Sequence, residues 1–279
     1  MHTPHPRVSV VMATWNRANF IGRAIQSVVD QAFSDWELVI VDDGSTDATS
    51  QVAREWAERD ARIKYAALEH TGRIAFVSNA GLRMATGEFI AILDDDDWWI
   101  DPSKLSKQVA FLDAHHEYVA CGGWFAAVNQ EGHRIALVEK PESDAAIRRV
   151  ALFANPIANS TAVFRRSAGL YDETLSQFAD WDFWLRVGTK GKLRNLPEYF
   201  SAYRMWGGGS SFVNQRANAK AAGIIIWRYR TQYGGFIRAF SSVFLYRCYT
   251  YLPVRVRKIL NEPLSRLKKY IGSRLAASS

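Results

Sequence analysis

The sequence predicts an α/β fold, a mixed, mainly parallel sheet flanked by helices and followed by a basic helical tail. Three observations carry that prediction. Short apolar runs alternate with stretches of helical periodicity from Val8 to Leu93, the rhythm of βαβ units with right-handed crossovers. Two of those runs end abruptly in acids, one at Asp42-Asp43 and one at Asp94-Asp95-Asp96-Asp97. Charge also changes sign late in the chain. Residues 220–279 hold 12 Lys/Arg and one acid, Glu262, for a net of +11, whereas residues 1–219 hold 23 Lys/Arg and 27 acids, for a net of −4.

Val8–Ala13 is nearly continuous in apolar residues, the pattern of a strand buried on both faces. Thr14-Trp15-Asn16-Arg17 is a loop, and a helix follows from about Asn19 with Phe20, Ile21, Ala24, Ile25 and Val28 on one face. Trp36–Val41 is the second strand. Gly44 then permits a tight turn, and Ser45 or Thr46 is expected to cap a helix running to about Arg59. Arg62–Ala66 is a short third strand, Gly72–Thr86 a helix and Glu88–Leu93 the fourth strand. If the second and fourth strands are central, their acids converge at one sheet edge.

Pro102 opens a helix to about His116. Tyr118–Val128 and Arg134–Val138 are expected to form two strands joined by a turn at Gln130-Glu131-Gly132. Asp144–Phe153 reads as a helix, Ile157–Phe164 as β, Phe178–Val187 as an amphipathic helix, and Lys192–Arg204 as one strand or two. Gly207–Ser211 reads as a flexible loop. The expected organisation is one half at residues 1–105, a second half of the same domain at 106–219, and the tail at 220–279.

With 279 residues and 48% hydrophobic content, the chain can bury one large domain. It has no run of eighteen uncharged apolar residues, so no transmembrane helix is expected. The segment Met1–Pro6 lacks an apolar core, so no signal peptide is expected. Cys121 and Cys248 match no metal or redox spacing. Four adjacent carboxylates repel one another, and a divalent cation such as Mg²⁺ or Mn²⁺ is the simplest reason to keep them together. A solvated acidic loop or a helix N-terminus is the competing reading.

In their order and content these segments resemble the family 2 glycosyltransferases, which have the GT-A fold. The residues that carry the resemblance are Val8–Arg17, Asp42-Asp43-Gly44-Ser45-Thr46-Asp47, Asn79-Ala80-Gly81, Leu93–Trp98, Ala179–Arg186 and Tyr203-Arg204, over roughly residues 7–211. The resemblance implies a metal-dependent, inverting transfer of a sugar from a nucleotide-diphosphate donor to an acceptor hydroxyl. It places Asp43 at the nucleobase, with Ala13 and Thr14 lining the pocket and Asp42 able to share the role. It makes Asp96 the first metal ligand, with Asp94 and Asp97 as neighbours on metal or donor, and leaves Asp95 as electrostatic support. It makes Asp180 the general base, with Asp182 as the next candidate.

The chain departs from the family pattern at three points. Ala179 stands where the family usually has Glu, and Ser78 stands where it often has Arg before Asn79. Arg73, earlier on the same helix, is the replacement cation expected at the donor. Trp206 replaces a His after Tyr203-Arg204, leaving Arg204 as the expected diphosphate contact. Gly207–Ser211 is then a candidate lid. Trp181 and Trp184 read as core before sugar platform.

The tail interleaves aromatics and cations from Trp227 to Arg247, then places Leu264, Leu267, Ile271 and Leu275 on one helical face. That pattern suits a helix lying in an anionic membrane interface on the cytoplasmic side. Helices packed back on the body are the alternative. The expected acceptor is a saccharide or a lipid-linked one, in surface polysaccharide or glycolipid synthesis. Two rivals are a nucleotidyltransferase and, from pI ≈ 9.4, a nucleic-acid-binding protein. The four-Asp run argues against the second, because it repels phosphates.

Overall fold

A computed structural model describes residues 5–205 and 215–251. The candidate lid at Gly207–Ser211, Trp206 and the Leu264–Leu275 stripe lie outside those residues. A nine-stranded sheet forms the frame. Its parallel part runs β3 (Ile63–Ala67), β2 (Trp36–Asp42), β1 (Val8–Thr14), β4 (Phe89–Ile92). Each of β1, β2 and β4 is buried along almost its whole length, as continuous apolar runs require when helices cover both faces. The covering helices are α1 (Ile21–Val29), α2 (Thr49–Arg59) and α3 (Ile74–Met84). Gly81 sets how closely α3 approaches: a Cβ there would stand 2.6 Å from Val11 Cγ1 and 3.3 Å from Val41 Cγ2. The Asn-Ala-Gly motif is thus partly a packing requirement.

Beyond β4 the sheet becomes mixed. β8 (Val163–Arg165) pairs antiparallel with β4 and with β6 (Tyr118–Val128), and β6 runs parallel to β9 (Lys192–Arg204). β7 (Arg134–Val138) forms the expected hairpin with β6. β5 is only Trp98–Trp99, antiparallel to β9. No periodicity announces a two-residue strand, and it turns the acidic run back under the end of β9. α4 (Lys104–Ala114), α5 (Asp144–Val150) and α6 (Ala179–Gly188) complete the body.

Two expectations need correction. Neither Ser45 nor Thr46 caps α2, which starts at Thr49 without a side-chain cap; the Ser45 hydroxyl is taken instead by Asp42. The stretch Ile157–Phe164 is not a strand throughout. It contains a 3₁₀ turn, Asn159–Thr161, and only Val163 and Phe164 enter β8. Asp182, the next candidate for the base, is fully buried.

The composition break at residue 220 falls inside α7 (Gln215–Arg228), which with α8 (Phe236–Tyr251) packs on the body. Ala222, Ile225, Ile226, Tyr229, Tyr233 and Ala239 share one core cluster with Phe164, Phe183, Trp184 and Leu193. Arg228 reaches the buried Asp182 at 2.7 Å, and the Tyr233 hydroxyl donates to Leu185 O at 2.7 Å. The first part of the tail therefore braces α6 from behind.

Candidate active site

The loops leaving β1, β2 and β4 meet at the carboxyl end of the parallel strands, where open α/β sheets bind ligands. Asn16, in the left-handed region at φ 54, joins the first two loops. Its Oδ1 accepts from Thr46 N at 2.8 Å, and its own N–H donates to Ser45 Oγ at 2.9 Å.

The acids after β2 are bound by their own surroundings. Asp42 Oδ1 accepts from Ser45 N and Oγ at 2.9 and 2.6 Å, and Oδ2 accepts from the Tyr65 hydroxyl at 2.8 Å. Asp43 Oδ1 accepts from both Thr71 N and Oγ1 at 2.8 Å, and Oδ2 accepts from Gly72 N at 2.8 Å. His70 Nδ1 lies 3.1 Å from Asp43 Oδ2, and its ring stacks on Trp15 with centroids 4.6 Å apart. Ala13 and Thr14 end β1 beside this group.

The acids after β4 are in a different state. Asp94 Oδ1 accepts from Asn159 Nδ2 at 3.0 Å. Asp97 Oδ2 accepts from Ser160 Oγ at 2.5 Å, and Oδ1 from Arg204 N at 2.8 Å. Arg17 Nε lies 3.5 Å from Asp95 Oδ1. These partners do not offset the crowding. Burial, then the Asp96 charge, pushes Asp94 up to about 7, with Asp180 adding to the rise. Burial and Asp96 likewise push Asp95 up to about 7. Asp97 is raised well above the carboxylate range by burial, Asp94 and Asp96.

Asp180 faces this cluster from the first turn of α6. Phe178, at φ 57, turns the chain into the helix. Burial raises the Asp180 pKa; the backbone N–H groups of Trp181 and of Asp180 itself, the Asn155 amide and the Lys140 charge oppose that rise. Helix N-termini favour negative charge for the same reason. Asp94 and Asp180 raise one another's neighbours too: both carboxylates, with Asp97 and Asp96, lift the Tyr203 hydroxyl far above its usual range after burial has done so.

The structure thus brings Asp94, Asp96, Asp97 and Asp180 into one electrostatic group and sets Ala13, Thr14, Asp42 and Asp43 beside it. Three other expected donor contacts are engaged elsewhere. Asn79 is buried, its Nδ2 donating to Tyr171 O at 3.0 Å and Glu173 Oε1 at 2.7 Å, and its Oδ1 accepting from Tyr171 N at 2.8 Å. Arg73 Nη2 donates to Glu173 O at 2.9 Å. The Arg204 guanidinium donates to Asp96 O at 3.0 Å and to Gln130 O. Its side chain holds the acidic loop in place. Asp182 is paired with Arg228 on the far side of α6. Trp181 and Trp184 are buried in the core.

Sequence reasoning passed over Asn155, Asn159, Ser160 and Lys140. The available signal was slight: Asn155, Asn159 and Ser160 are polar residues in the otherwise apolar stretch Asn155–Phe164, and no pattern marked Lys140.

Among the described residues no three His, Cys, Asp or Glu side chains form a ready-made metal cage. Mg²⁺-type ions commonly take one or two protein carboxylates and complete their shell with substrate phosphates and water. Carboxylates whose protonation is favoured by mutual repulsion are a donor set that a cation would relieve, so the residues present fit such an ion.

A parallel sheet, extended by a mixed half and carrying carboxylates at its strand ends, defines a GT-A glycosyltransferase fold. Solved structures agree on that fold. TarS from S. aureus in complex with UDP-GlcNAc superposes with a TM-score of 0.69 at 20% identity, over 88% of this chain and 73% of that one. The mannosyltransferase PcManGT from Pyrobaculum calidifontis, in complex with GDP-Man and Mn²⁺, gives 0.64 at 19% identity, over 99% and 86%. The family model described as glycosyl transferase family 2 matches residues 9–169, and the chain belongs to that family. An uncharacterized glycosyltransferase of Haemophilus influenzae is 28% identical over 88% of this chain and 80% of its own length. The putative glycosyltransferase EpsE of Bacillus subtilis is 32% identical over 67% and 68%.

Proposed function

We propose that the protein transfers a sugar, with inversion, from a nucleotide-diphosphate donor to an acceptor hydroxyl. The observation that carries the reading is the single electrostatic group formed by Asp94, Asp96 and Asp97 after β4 and Asp180 on α6. Asp96, with Asp94 and Asp97, is the set for Mn²⁺ or Mg²⁺, which when bound offsets the charge of the departing diphosphate. Asp180 takes the acceptor proton. Its pKa, raised by burial, makes it a stronger base than an exposed carboxylate. Ala13, Thr14, Asp42 and Asp43 flank the nucleobase end. UDP-GlcNAc and GDP-Man, bound by the two neighbours, are the first donors to test.

The acceptor is a saccharide or lipid-linked saccharide presented at an anionic membrane surface, in surface polysaccharide or glycolipid synthesis. Support comes from the outer face of α7 and α8. Ile237 is 78% and Leu245 67% exposed, beside the exposed Trp227, Phe240 and Phe244 and near Arg230, Arg238 and Arg247. None of the described helices is long and apolar enough to cross a membrane. Attachment by this face would be peripheral and salt-sensitive, each well-placed cation adding ~1 kcal/mol.

The test is a thermal-shift panel of nucleoside diphosphates with and without Mn²⁺, followed by product analysis. Binding raises apparent stability by mass action. A Mn²⁺-dependent shift with one nucleotide, and nucleoside diphosphate as product, are expected. Pyrophosphate release would establish a nucleotidyltransferase instead. For the membrane, full-length protein should co-sediment with anionic vesicles at low salt and not at high salt, and Ile237→Glu with Leu245→Glu should abolish it. Truncation at residue 220 is unsuitable, because it removes Ile225, Ile226, Tyr229 and Tyr233 from the core.

A further inference from the structure

Asn155 lies between α5 and the 3₁₀ turn, and its side chain meets the acceptor side of the site. Its Nδ2 donates to Asp180 Oδ2 at 2.6 Å. Its backbone carbonyl accepts from Lys140 Nζ at 2.9 Å. Its other amide atom, Oδ1, is buried and has no hydrogen-bond partner among the described residues. A buried acceptor left without a partner lowers stability, and an apolar side chain of the same size would avoid the loss. Asparagine at this position is therefore poorly explained by folding. Broken local rules of this kind gather at functional sites, and the group that Asn155 does satisfy is the Asp180 carboxylate.

We propose that Asn155 is a positioning residue for the transfer: its amide N–H holds Asp180 Oδ2, leaving Oδ1 to face the acceptor hydroxyl, while Lys140 fixes Asn155 through its backbone carbonyl. The inference rests on Asp180 being the base. In the step it serves, the acceptor O–H gives its proton to Asp180 Oδ1 as its oxygen bonds to the anomeric carbon. The bond from that carbon to the diphosphate oxygen breaks, and the nucleoside diphosphate leaves with the electron pair. The proton then passes from Asp180 to solvent. A hydrogen bond to the ionised form also favours that form. Asn155 thereby opposes the burial that favours the protonated form of Asp180.

The experiment uses the full-length protein with Asn155→Leu, Asn155→Ser and Asp180→Asn. Three quantities are read: melting temperature, the ¹³C carboxyl titration of Asp180 (assigned by its loss in Asp180→Asn), and nucleoside-diphosphate release from UDP-GlcNAc or GDP-Man with Mn²⁺. In Asn155→Leu the Asp180 midpoint should rise by about one unit, in the range of a lost hydrogen bond to a charged group. Melting temperature should change little, because Leu removes the unpaired Oδ1 but leaves Asp180 Oδ2 without its donor. Turnover should fall at least about tenfold with donor KM unchanged, the pattern of an interaction made in the transition state. Asn155→Ser, which keeps a donor, should recover part of both. An unmoved Asp180 midpoint in Asn155→Leu, or a turnover loss that only follows a lowered melting temperature, overturns the positioning role. Full turnover in Asp180→Asn would instead remove the base assignment itself, a failure the titration keeps distinct.

Discussion

Two strands of the same sheet end in acids, and the two groups have opposite fates. After β2, the oxygens of Asp42 and Asp43 are taken up by Ser45, Tyr65, Thr71 and Gly72, so these carboxylates build the loops around them. After β4, Asp94, Asp95 and Asp97 crowd one another in a buried setting, and their pKa values climb. The residue type and the place in the fold are the same. What differs is the supply of donors: Ser45, Tyr65, Thr71 and Gly72 take up all four carboxylate oxygens of Asp42 and Asp43, whereas Asn159, Ser160 and Arg204 do not offset burial and the neighbouring charges at Asp94 and Asp97. Acids that a fold leaves in mutual repulsion mark where it expects another charge.

The largest expected effect lies with the carboxylate that faces the crowded group. Asp180→Asn should leave nucleotide affinity nearly unchanged and reduce turnover by about 10²–10⁴-fold, the usual share of a general base. Activity within a few-fold of wild type would move the base elsewhere. Asp182 is a poor substitute, since Arg228 already holds it on the far side of α6.

Asp96→Asn comes next. It should abolish the Mn²⁺-dependent part of nucleotide binding while the protein melts as before or higher, because it removes a repelling charge. The matching change after β2, Asp43→Asn, should behave in the opposite way. It disturbs the His70–Gly72 loop at a cost of about 1–3 kcal/mol, as for other lost partners of buried groups. Calorimetry on the two variants checks the contrast, and equal losses of stability would erase it.

The pH dependence sharpens the comparison further, because the other end of the sheet supplies a counterexample. Glu37 is buried at the amino edge, where Lys64, Ser9 and Thr86 lower its pKa to about 2 despite burial. Its folded pKa lies below the unfolded one, so its stabilisation is present above the usual carboxylate range and is lost as pH falls towards 2. Asp94 and Asp95 have folded values raised to about 7 from 3.8. Their contribution is present below about 3.8 and is lost as pH rises through 7. Metal-free protein should therefore lose stability between about pH 4 and 7, the interval those values span. Asp94→Asn should flatten that decline and Glu37→Gln should not. A decline untouched by Asp94→Asn would mean that the crowding is relieved in solution.

The smallest effect concerns the brace behind the site. Arg228→Ala leaves Asp182 buried without its partner. The loss should stay below the ~3–5 kcal/mol of a fully buried pair, because Arg228 is 39% exposed and screened. Turnover should fall only as far as α6 loosens.

The sequence by itself determined the parallel half of the fold, the order of the elements and the family. Those follow from local signals: continuous apolar runs for strands buried on both faces, helical periodicity between them, and acids placed where strands stop. It also marked Asp94–Asp97 and Asp180 as the residues to watch. Which acids stay available was decided only by the tertiary structure. Donors such as Asn159 and Ser160 come from a 3₁₀ turn more than sixty residues away in sequence, and no local pattern encodes that meeting. The same holds for Asn79, Arg73 and Arg204, polar residues suited to a ligand by type but engaged by carbonyls and by Glu173. It holds for the tail as well. Composition made it a basic appendage, yet one face of α7 and α8 is core, because an amphipathic helix shows the same periodicity whether its apolar side meets lipid or protein. Periodicity fixes that a face is apolar; only packing fixes what covers it.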